Sequence, residues 1–200
     1  MQQHETDDDA AIRSVAAGDR DAFGVLVTRY QEAAFRTAYF VLRDSAAAQD
    51  VAQDAFIRAY DGLARFEVGR PFRPWLLRIV TNLALNEVRA RGRRGGLWTR
   101  LSTAPEESAP APERDLEARE RHESMVDAIN ELPMDDRLVL YLRYFLDLPE
   151  AEIAIAIGKR SGTVKSRLNR ARARLHTLID ERYPALRPEV TGQSDGTGGQ

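Results

Sequence analysis

The chain has 200 residues, a formal net charge of −2 at neutral pH, and no cysteine. This length allows one or two domains, and the missing cysteines exclude disulfides, thiolate nucleophiles and cysteine-ligated zinc. The three histidines are scattered without the spacing of metal ligands, and no apolar run is long enough to span a membrane. Composition therefore predicts a soluble cytoplasmic protein that uses no metal and no cofactor.

Apolar periodicity predicts four helices in the first half of the chain. The first is short, at 10–17, and Asp21 is placed to cap the second. The helical pattern resumes over 45–63, and a loop containing glycine and proline separates it from a strong helix at 75–91. This half of the chain is therefore predicted to form one small helical domain.

Composition changes after that domain and predicts a linker. Glycine, serine, alanine and proline replace the periodic pattern, which returns only near Leu116. The sequence thus predicts an all-α protein of two small helical domains joined by a flexible linker. Its predicted parts are an N-terminal domain at 1–94, a linker at 95–115, a C-terminal domain with a helix-turn-helix at 116–183, and a disordered tail at 184–200.

The stretch 149–175 has the pattern of a helix-turn-helix. A short apolar helix, a turn at Gly158 and a basic helix that Ser161 could cap follow one another, with no acid from Lys159 to Arg174. Polar side chains off the apolar stripe of the second helix are the candidates for duplex DNA contact: Thr163, Lys165, Ser166, Arg167, Asn169 and Arg170. The alternative is an amphipathic surface helix with a solvated basic face.

A second basic block covers 65–100 and holds nine arginines. Its helix has an outward stripe that combines base-reading amides with backbone-binding guanidinium groups: Arg78, Asn82, Asn86 and Arg89. At the helix entry, Phe72 in the preceding loop and Trp75 could stack on an unpaired base. For Trp75, a position in the core is an equally good interpretation.

The helix at 50–60 has an apolar stripe on one face and a mixed surface on the other. The outward residues are Asp50, Gln53, Asp54, Ile57 and Arg58. They would expose a small apolar spot beside acidic and polar groups, which suits docking onto a partner with basic and apolar groups. The alternative is a helix face that contacts only solvent.

These segments, in this order, resemble the extracytoplasmic-function class of bacterial RNA polymerase sigma factors. The similar stretches are GDRDAFGVLVTRYQ at 18–31, DVAQDAFIRAY at 50–60, the segment at 73–94, and the C-terminal stretches at 131–158 and 162–175. The resemblance implies that 50–60 binds the clamp helices of core RNA polymerase. It also implies that 73–94 melts and reads the minus-ten element, while the C-terminal domain reads the minus-thirty-five element.

The same resemblance implies the partners and the mechanism. Expected partners are core RNA polymerase, promoter DNA as duplex and as melted single strand, and an anti-sigma protein, with no direct membrane insertion. The linker would thread near the RNA exit path of the polymerase, and the protein would perform no bond chemistry. Two alternatives remain open at this point: a helix-turn-helix regulator that is not a polymerase subunit, and an enzyme that uses the scattered acids and histidines.

Overall fold

The computed structural model describes residues 2–94 and 113–187, and within these ranges the fold is helical without strands, which confirms the predicted all-α class. No helix in these two ranges combines the length and the apolar character needed to cross a bilayer. The helices are α1 Gln2–Ala16, α2 Phe23–Leu42, α3 Ser45–Gly62, α4 Phe72–Arg94, α5 Glu113–Glu131, α6 Met134–Tyr144, α7 Glu150–Ile157 and α8 Ser161–Arg182, with 3-10 turns at Leu63–Arg65 and Pro184–Leu186.

Helices α1 to α4 pack around one apolar core. The facing sides of α2 and α3 carry alanines without solvent exposure, among them Ala34 and Ala55, and these small side chains let the two helices approach closely. Leu76 and Val80 of α4 fill the remaining space and are also fully buried. Since α4 packs on both α2 and α3, its buried face fixes which of its side chains point to solvent.

Buried polar contacts attach α1 to this core. The Asp8 carboxylate is buried and pairs with the Arg29 guanidinium, while the Tyr30 hydroxyl donates to it. Burial raises the pKa of Tyr30. In the next position, the Asp9 carboxylate accepts a 3.0 Å hydrogen bond from the backbone N–H of Gly69, in the loop before α4. The acidic N-terminal helix is therefore part of the domain.

Helices α6, α7 and α8 form the core of the second domain. Leu142, Ile153, Val164 and Leu168 are buried there at 1% exposure or less. Helix α7 ends at Ile157 and is capped by Gly158, whose φ of 64° is left-handed, a conformation that glycine adopts without steric cost. The predicted turn between the two helices of the helix-turn-helix is thus confirmed.

Several predicted helix starts are wrong, by eight residues for the first helix and by three for α4. The N-terminal helix extends back to Gln2, and α4 begins at Phe72 instead of residue 75. The predicted Asp21 cap is wrong, because the Asp19 carboxylate accepts the backbone N–H bonds before α2. Ser161 is likewise not a cap, since α8 starts after Arg160 without a side-chain cap.

The predicted linker and tail are described only at their edges. Helix α5 begins at Glu113, so the last residues of the predicted linker, 113–115, are helical. Residues 184–186 form a 3-10 turn within the predicted tail. The remaining parts of these predictions, 95–112 and 188–200, lie outside the described residues.

The two domains touch along a surface that the sequence did not predict. Helix α4 packs against α7, and the Phe40 and Tyr141 rings stack with centroids 4.2 Å apart. The Arg73 guanidinium donates a 2.9 Å hydrogen bond to the Leu146 carbonyl. We call this contact the interdomain seam, formed by Phe40, Arg73 and Arg78 of the N-terminal domain and Tyr141, Leu146 and Gly158 of the C-terminal domain.

Candidate nucleic-acid interface

Helix α8 presents most of the predicted duplex-binding residues to solvent. Its apolar stripe is buried on α6 and α7, with Val164 and Ala171 at 0% exposure. The exposed predicted residues are Thr163, Lys165, Ser166, Asn169 and Arg170. They lie within the first three turns of α8, and in a helix-turn-helix this is the part of the second helix that enters the major groove. Five of the six candidate side chains are therefore accessible on one basic surface.

Arg167, the sixth candidate, is placed differently. Its side chain is 20% exposed and pairs with the Asp135 carboxylate at the start of α6. Its Nε atom is buried without a hydrogen-bond partner. The structure therefore shows Arg167 fastening α8 to α6, a contact that composition and spacing do not reveal.

Helix α4 brings its four predicted polar residues to one exposed face. Arg78, Asn82, Asn86 and Arg89 are all exposed, and Arg89 Nη1 donates a 2.9 Å hydrogen bond to Asn86 Oδ1. That bond fixes the orientation of the Asn86 oxygen and leaves the amide NH₂ group to donate elsewhere. An amide held in this way beside a guanidinium group is suited to contact a base edge next to a phosphate.

The position predicted for Phe72 is wrong. It was predicted to lie in a loop with its ring available for base stacking, but it opens α4 and is 1% exposed. Its ring lies between Tyr30, Phe66 and Trp75, with centroids 5.7, 5.8 and 5.5 Å away. Because α4 begins three residues earlier than predicted, Phe72 falls on the apolar face of a helix and belongs to the core.

Trp75 is partly buried beside Phe72. Its ring packs 4.8 Å from Phe66, measured between centroids, and a Cβ placed on Gly62 would approach the indole to 3.2 Å. Glycine at position 62 thus makes room for the ring. The indole belongs to an aromatic cluster and is partly exposed, so its role in base stacking stays a prediction.

Helix α3 exposes the predicted docking surface. Asp50, Gln53, Ile57 and Arg58 are exposed and Asp54 is partly exposed. Ile57, at 59%, is among the most exposed large apolar residues in the described part of the chain. The Asp54 and Arg58 side chains form an i,i+4 ion pair at 3.1 Å. Ile57 is thus accessible beside polar and charged side chains of the same helix face, as the sequence predicted.

An open cleft of about 910 Å³ lies between the loop before α4 and the start of α8. Its lining includes Trp75 and the cationic residues Arg65, Arg70, Arg78, Lys159 and Arg160. Of these cations, the sequence prediction included only Arg78. The signal was present in the two basic blocks, but their proximity depends on the interdomain seam, which no local pattern encodes.

Two further arginines meet beside the seam. Arg43, at the end of α2, and Arg137 of α6 both donate to the Asn130 side-chain oxygen, the second over 3.2 Å. Burial lowers the pKa of each guanidinium, and the charge of Arg43 lowers the pKa of Arg137 further. Like charges from the two domains therefore lie close together at this contact.

Both domains match known families. Residues 26–94 match Sigma-70 region 2, and residues 122–175 match Sigma-70, region 4. The chain is 35% identical over 188 residues to the RNA polymerase sigma-H factor of Pseudomonas aeruginosa, which covers 90% of this chain and 96% of that protein. It is 32% identical over 178 residues to the ECF RNA polymerase sigma factor SigW of Bacillus subtilis, covering 84% and 94%.

A solved structure gives the same assignment from the fold. CnrH, determined in complex with the cytosolic domain of CnrY, superposes with a TM-score of 0.63 and 28% sequence identity. The match covers 87% of this chain and 97% of that one. Sequence and fold agree over both domains, and the chain belongs to the sigma-70 family of RNA polymerase sigma factors, in its extracytoplasmic-function class.

Proposed function

We propose how this sigma factor, which directs promoter-specific transcription initiation, divides its task between two domains. The N-terminal domain, 1–94, binds core RNA polymerase through α3 and captures the melted minus-ten strand with α4. The C-terminal domain, 116–183, reads the duplex minus-thirty-five element with α8. The linker at 95–115 spans the gap between them and passes near the RNA exit path of the polymerase.

The observation that carries this proposal is the pair of exposed polar helix faces in separate domains. The face of α4 combines Asn82 and Asn86 with Arg78 and Arg89, while that of α8 has Lys165, Arg170 and shorter polar side chains. Amides and short polar groups suit base edges, and the cations suit phosphates. Matches to both region 2 and region 4 give no support to a helix-turn-helix regulator that acts without being a polymerase subunit.

Strand capture is assigned to Trp75, since Phe72 is buried in the core. Stacking one base on an aromatic ring contributes about 1–3 kcal/mol, and extruding a base costs a few kcal/mol. These magnitudes are comparable, so stacking on one indole cannot melt a promoter alone. Polymerase and the phosphate contacts of α4 supply the remainder, which is why we propose that strand capture occurs only in the holoenzyme.

We also propose the cellular setting. The protein acts in the cytoplasm, where its polymerase partner is, and performs no bond chemistry of its own. CnrH was solved with the cytosolic domain of another protein, CnrY, and a second protein of the anti-sigma type is proposed as a partner of this chain. Such a partner would cover surfaces that polymerase and DNA otherwise use.

The duplex-reading role is tested with the double variant Lys165→Ala/Arg170→Ala. Both side chains are exposed on α8, so the fold should persist while promoter-specific transcription is lost. Core polymerase binding, measured by co-purification, should be unchanged because α3 is untouched. His176→Ala, an exposed change later on α8, is the control and should transcribe normally. Normal initiation by the double variant would show that α8 is not the recognition helix.

The polymerase-binding role is tested with Asp54→Arg/Gln53→Ala. The reversed charge lies beside Ile57, so association with core enzyme should weaken. The matched control is Glu32→Arg/Gln31→Ala, which makes the same charge reversal and the same glutamine-to-alanine change at exposed positions of α2. Binding constants for both variants would be measured by titrating labelled protein with core polymerase. Equal affinities for the two double variants would refute the docking surface on α3.

A further inference from the structure

We infer that the free protein binds a nucleoside polyphosphate in the open cleft between the loop before α4 and the start of α8. We call this space the cationic cleft after the five cations that line it: Arg65, Arg70, Arg78, Lys159 and Arg160. The phosphates contact these cations, and the nucleoside lies against the apolar wall of the same cleft. The inference goes beyond the proposed function, because it concerns a small molecule bound without polymerase or DNA.

Most cations of the cationic cleft have no acidic partner. All five are exposed, and Arg70 pairs with Glu67 over 2.7 Å. The other four have no carboxylate partner among the described residues: Arg65, Arg78, Lys159 and Arg160. Cations that line one cleft without carboxylates repel one another, so an anion that contacts several of them removes repulsion and adds attraction. The whole chain has a formal charge of −2, so this affinity for anions is local to the cleft.

The number of unpaired cations favours a chain of phosphates. A phosphate monoester carries about 1.5–2 negative charges near neutral pH. A single one would leave most of the four cations uncompensated, whereas a chain of two or three phosphates compensates them. Guanidinium groups bind phosphate oxygens in a bidentate manner. The exposed Ser161 and Thr163 line the same cleft, and their hydroxyl groups can donate to further phosphate oxygens.

An apolar wall in the cationic cleft favours a nucleotide over free phosphate. Phe66, Trp75 and Ile155 line the cleft and are partly buried. The Phe66 and Trp75 rings pack with centroids 4.8 Å apart, so the wall is held in place without a ligand. Nucleobases pack favourably on aromatic and apolar side chains. The cleft volume of about 910 Å³ lies within the range of about 300–1,000 Å³ that is usual for small-molecule sites.

The proposed site needs both domains. Three of the five cations belong to the N-terminal domain and two to the C-terminal domain. The Arg78 guanidinium lies beside the turn of the helix-turn-helix, where a Cβ on Gly158 would be 3.5 Å from its Nε atom. A ligand that contacts cations on both sides therefore depends on the packing of the domains. Since Arg78 is also proposed to contact the minus-ten strand, the nucleotide must leave before that strand binds, and this consequence alone rests on the proposed function.

Calorimetric titration of the full chain with ATP tests the site, in magnesium-free buffer so that the phosphates keep their full charge. Adenosine and inorganic triphosphate are the two partial ligands. ATP should bind at least about tenfold more tightly than either, because only ATP uses both the cations and the apolar wall. Added salt should weaken binding. In Trp98→Phe, which leaves Trp75 as the only tryptophan, ATP should quench the fluorescence and inorganic triphosphate should not.

Two double variants test the two sides of the cationic cleft: Arg65→Ala/Arg70→Ala and Lys159→Ala/Arg160→Ala. Each should weaken ATP binding by about tenfold, since each removes two exposed cations that line the cleft. The matched control is Arg13→Ala/Arg20→Ala, which removes two exposed cations outside the cleft and should bind ATP like the unaltered chain. Thermal unfolding of each variant checks that the fold persists.

Three results would overturn the inference. The first is no binding of ATP by the unaltered chain. The second is equal affinity for ATP and inorganic triphosphate, which would mean that charge alone holds the ligand. The third is an equal loss in the matched control, which would mean that binding follows net charge. None of these measurements uses polymerase or promoter, whereas the proposed function fails separately, in the transcription assay with Lys165→Ala/Arg170→Ala.

Discussion

Phe72→Ala separates the structural account of this residue from the base-stacking role that the sequence suggested. The Phe72 ring is 1% exposed and has three aromatic neighbours within 5.8 Å, measured between centroids: Tyr30, Phe66 and Trp75. Removing it leaves a cavity at the start of α4, the helix whose exposed face is proposed to read the minus-ten element. We therefore expect the variant to lose stability first, and DNA function only as a consequence.

The expected magnitude is large. Truncating a buried phenylalanine to alanine typically lowers the free energy of unfolding by about 3–5 kcal/mol. For a chain of this size, that loss corresponds to a fall in melting temperature of roughly 6–20 °C. Phe72→Leu keeps most of the buried volume and should cost clearly less. Val68→Ala, at a 41% exposed position in the neighbouring loop, is the control and should change stability by no more than about 0.5 kcal/mol.

The assay combines unfolding with promoter opening. Chemical denaturation gives the free energy of unfolding of each variant, and permanganate footprinting of holoenzyme complexes reports unpaired thymines in the promoter. A core role predicts that Phe72→Leu retains both stability and opening to a similar extent. The reasoning would be refuted by a Phe72→Ala protein that unfolds like the unaltered chain and yet fails to open the promoter.

Two further predictions concern carboxylates that fix helices. Asp44 caps α3, and its bond to a backbone N–H, with help from Arg91, lowers its pKa; Asp44→Ala should cost about 0.5–2 kcal/mol at pH 7. Because the pKa is lowered, the stability that Asp44 contributes is present above the unfolded pKa near 4 and is lost as the pH falls through the folded pKa. Denaturation at pH 7 and at pH 3 should therefore show a smaller difference in unfolding free energy between Asp44→Ala and the unaltered chain at pH 3. Asp136→Ala removes the buried partner of Arg174 and should lower stability by about 1.5–3 kcal/mol, measured by urea unfolding, whereas an unchanged midpoint would show that this pair contributes nothing.

Local patterns predicted the helices and the faces of α3, α4 and α8. The spacing of Val164, Leu168 and Ala171 placed the buried side of α8 correctly, because helical periodicity alone decides which residues share a face. Phe72 was misplaced because two prolines near it suggested a loop. One of them, Pro74, lies in the first turn of α4, where its missing N–H breaks no helical hydrogen bond.

Contacts between distant segments were beyond the reach of local patterns. Arg167 looks like any other cation on a basic helix, and only the packing of α6 against α8 brings it to Asp135. The interdomain seam is a second case. The stacking of Phe40 on Tyr141 depends on how two domains meet, which periodicity within one helix does not specify.

The intramolecular contacts of α8 change how its charge should be interpreted. The sequence places five cations between residues 165 and 174 of this helix, but Arg167 pairs with Asp135, Arg174 pairs with Asp136, and Arg172 donates to the Tyr144 hydroxyl over 2.8 Å. These three contacts hold α8 on α6 and fix its orientation. Lys165 and Arg170 remain as exposed cations in the part of α8 that is proposed to face the DNA groove. Since each neutralised phosphate adds about 0.9 to the logarithmic salt slope of DNA binding, the isolated chain should show a shallow slope and weak affinity. Under the proposed function, promoter recognition then depends on polymerase, which joins this small duplex contact to the proposed strand contact of α4.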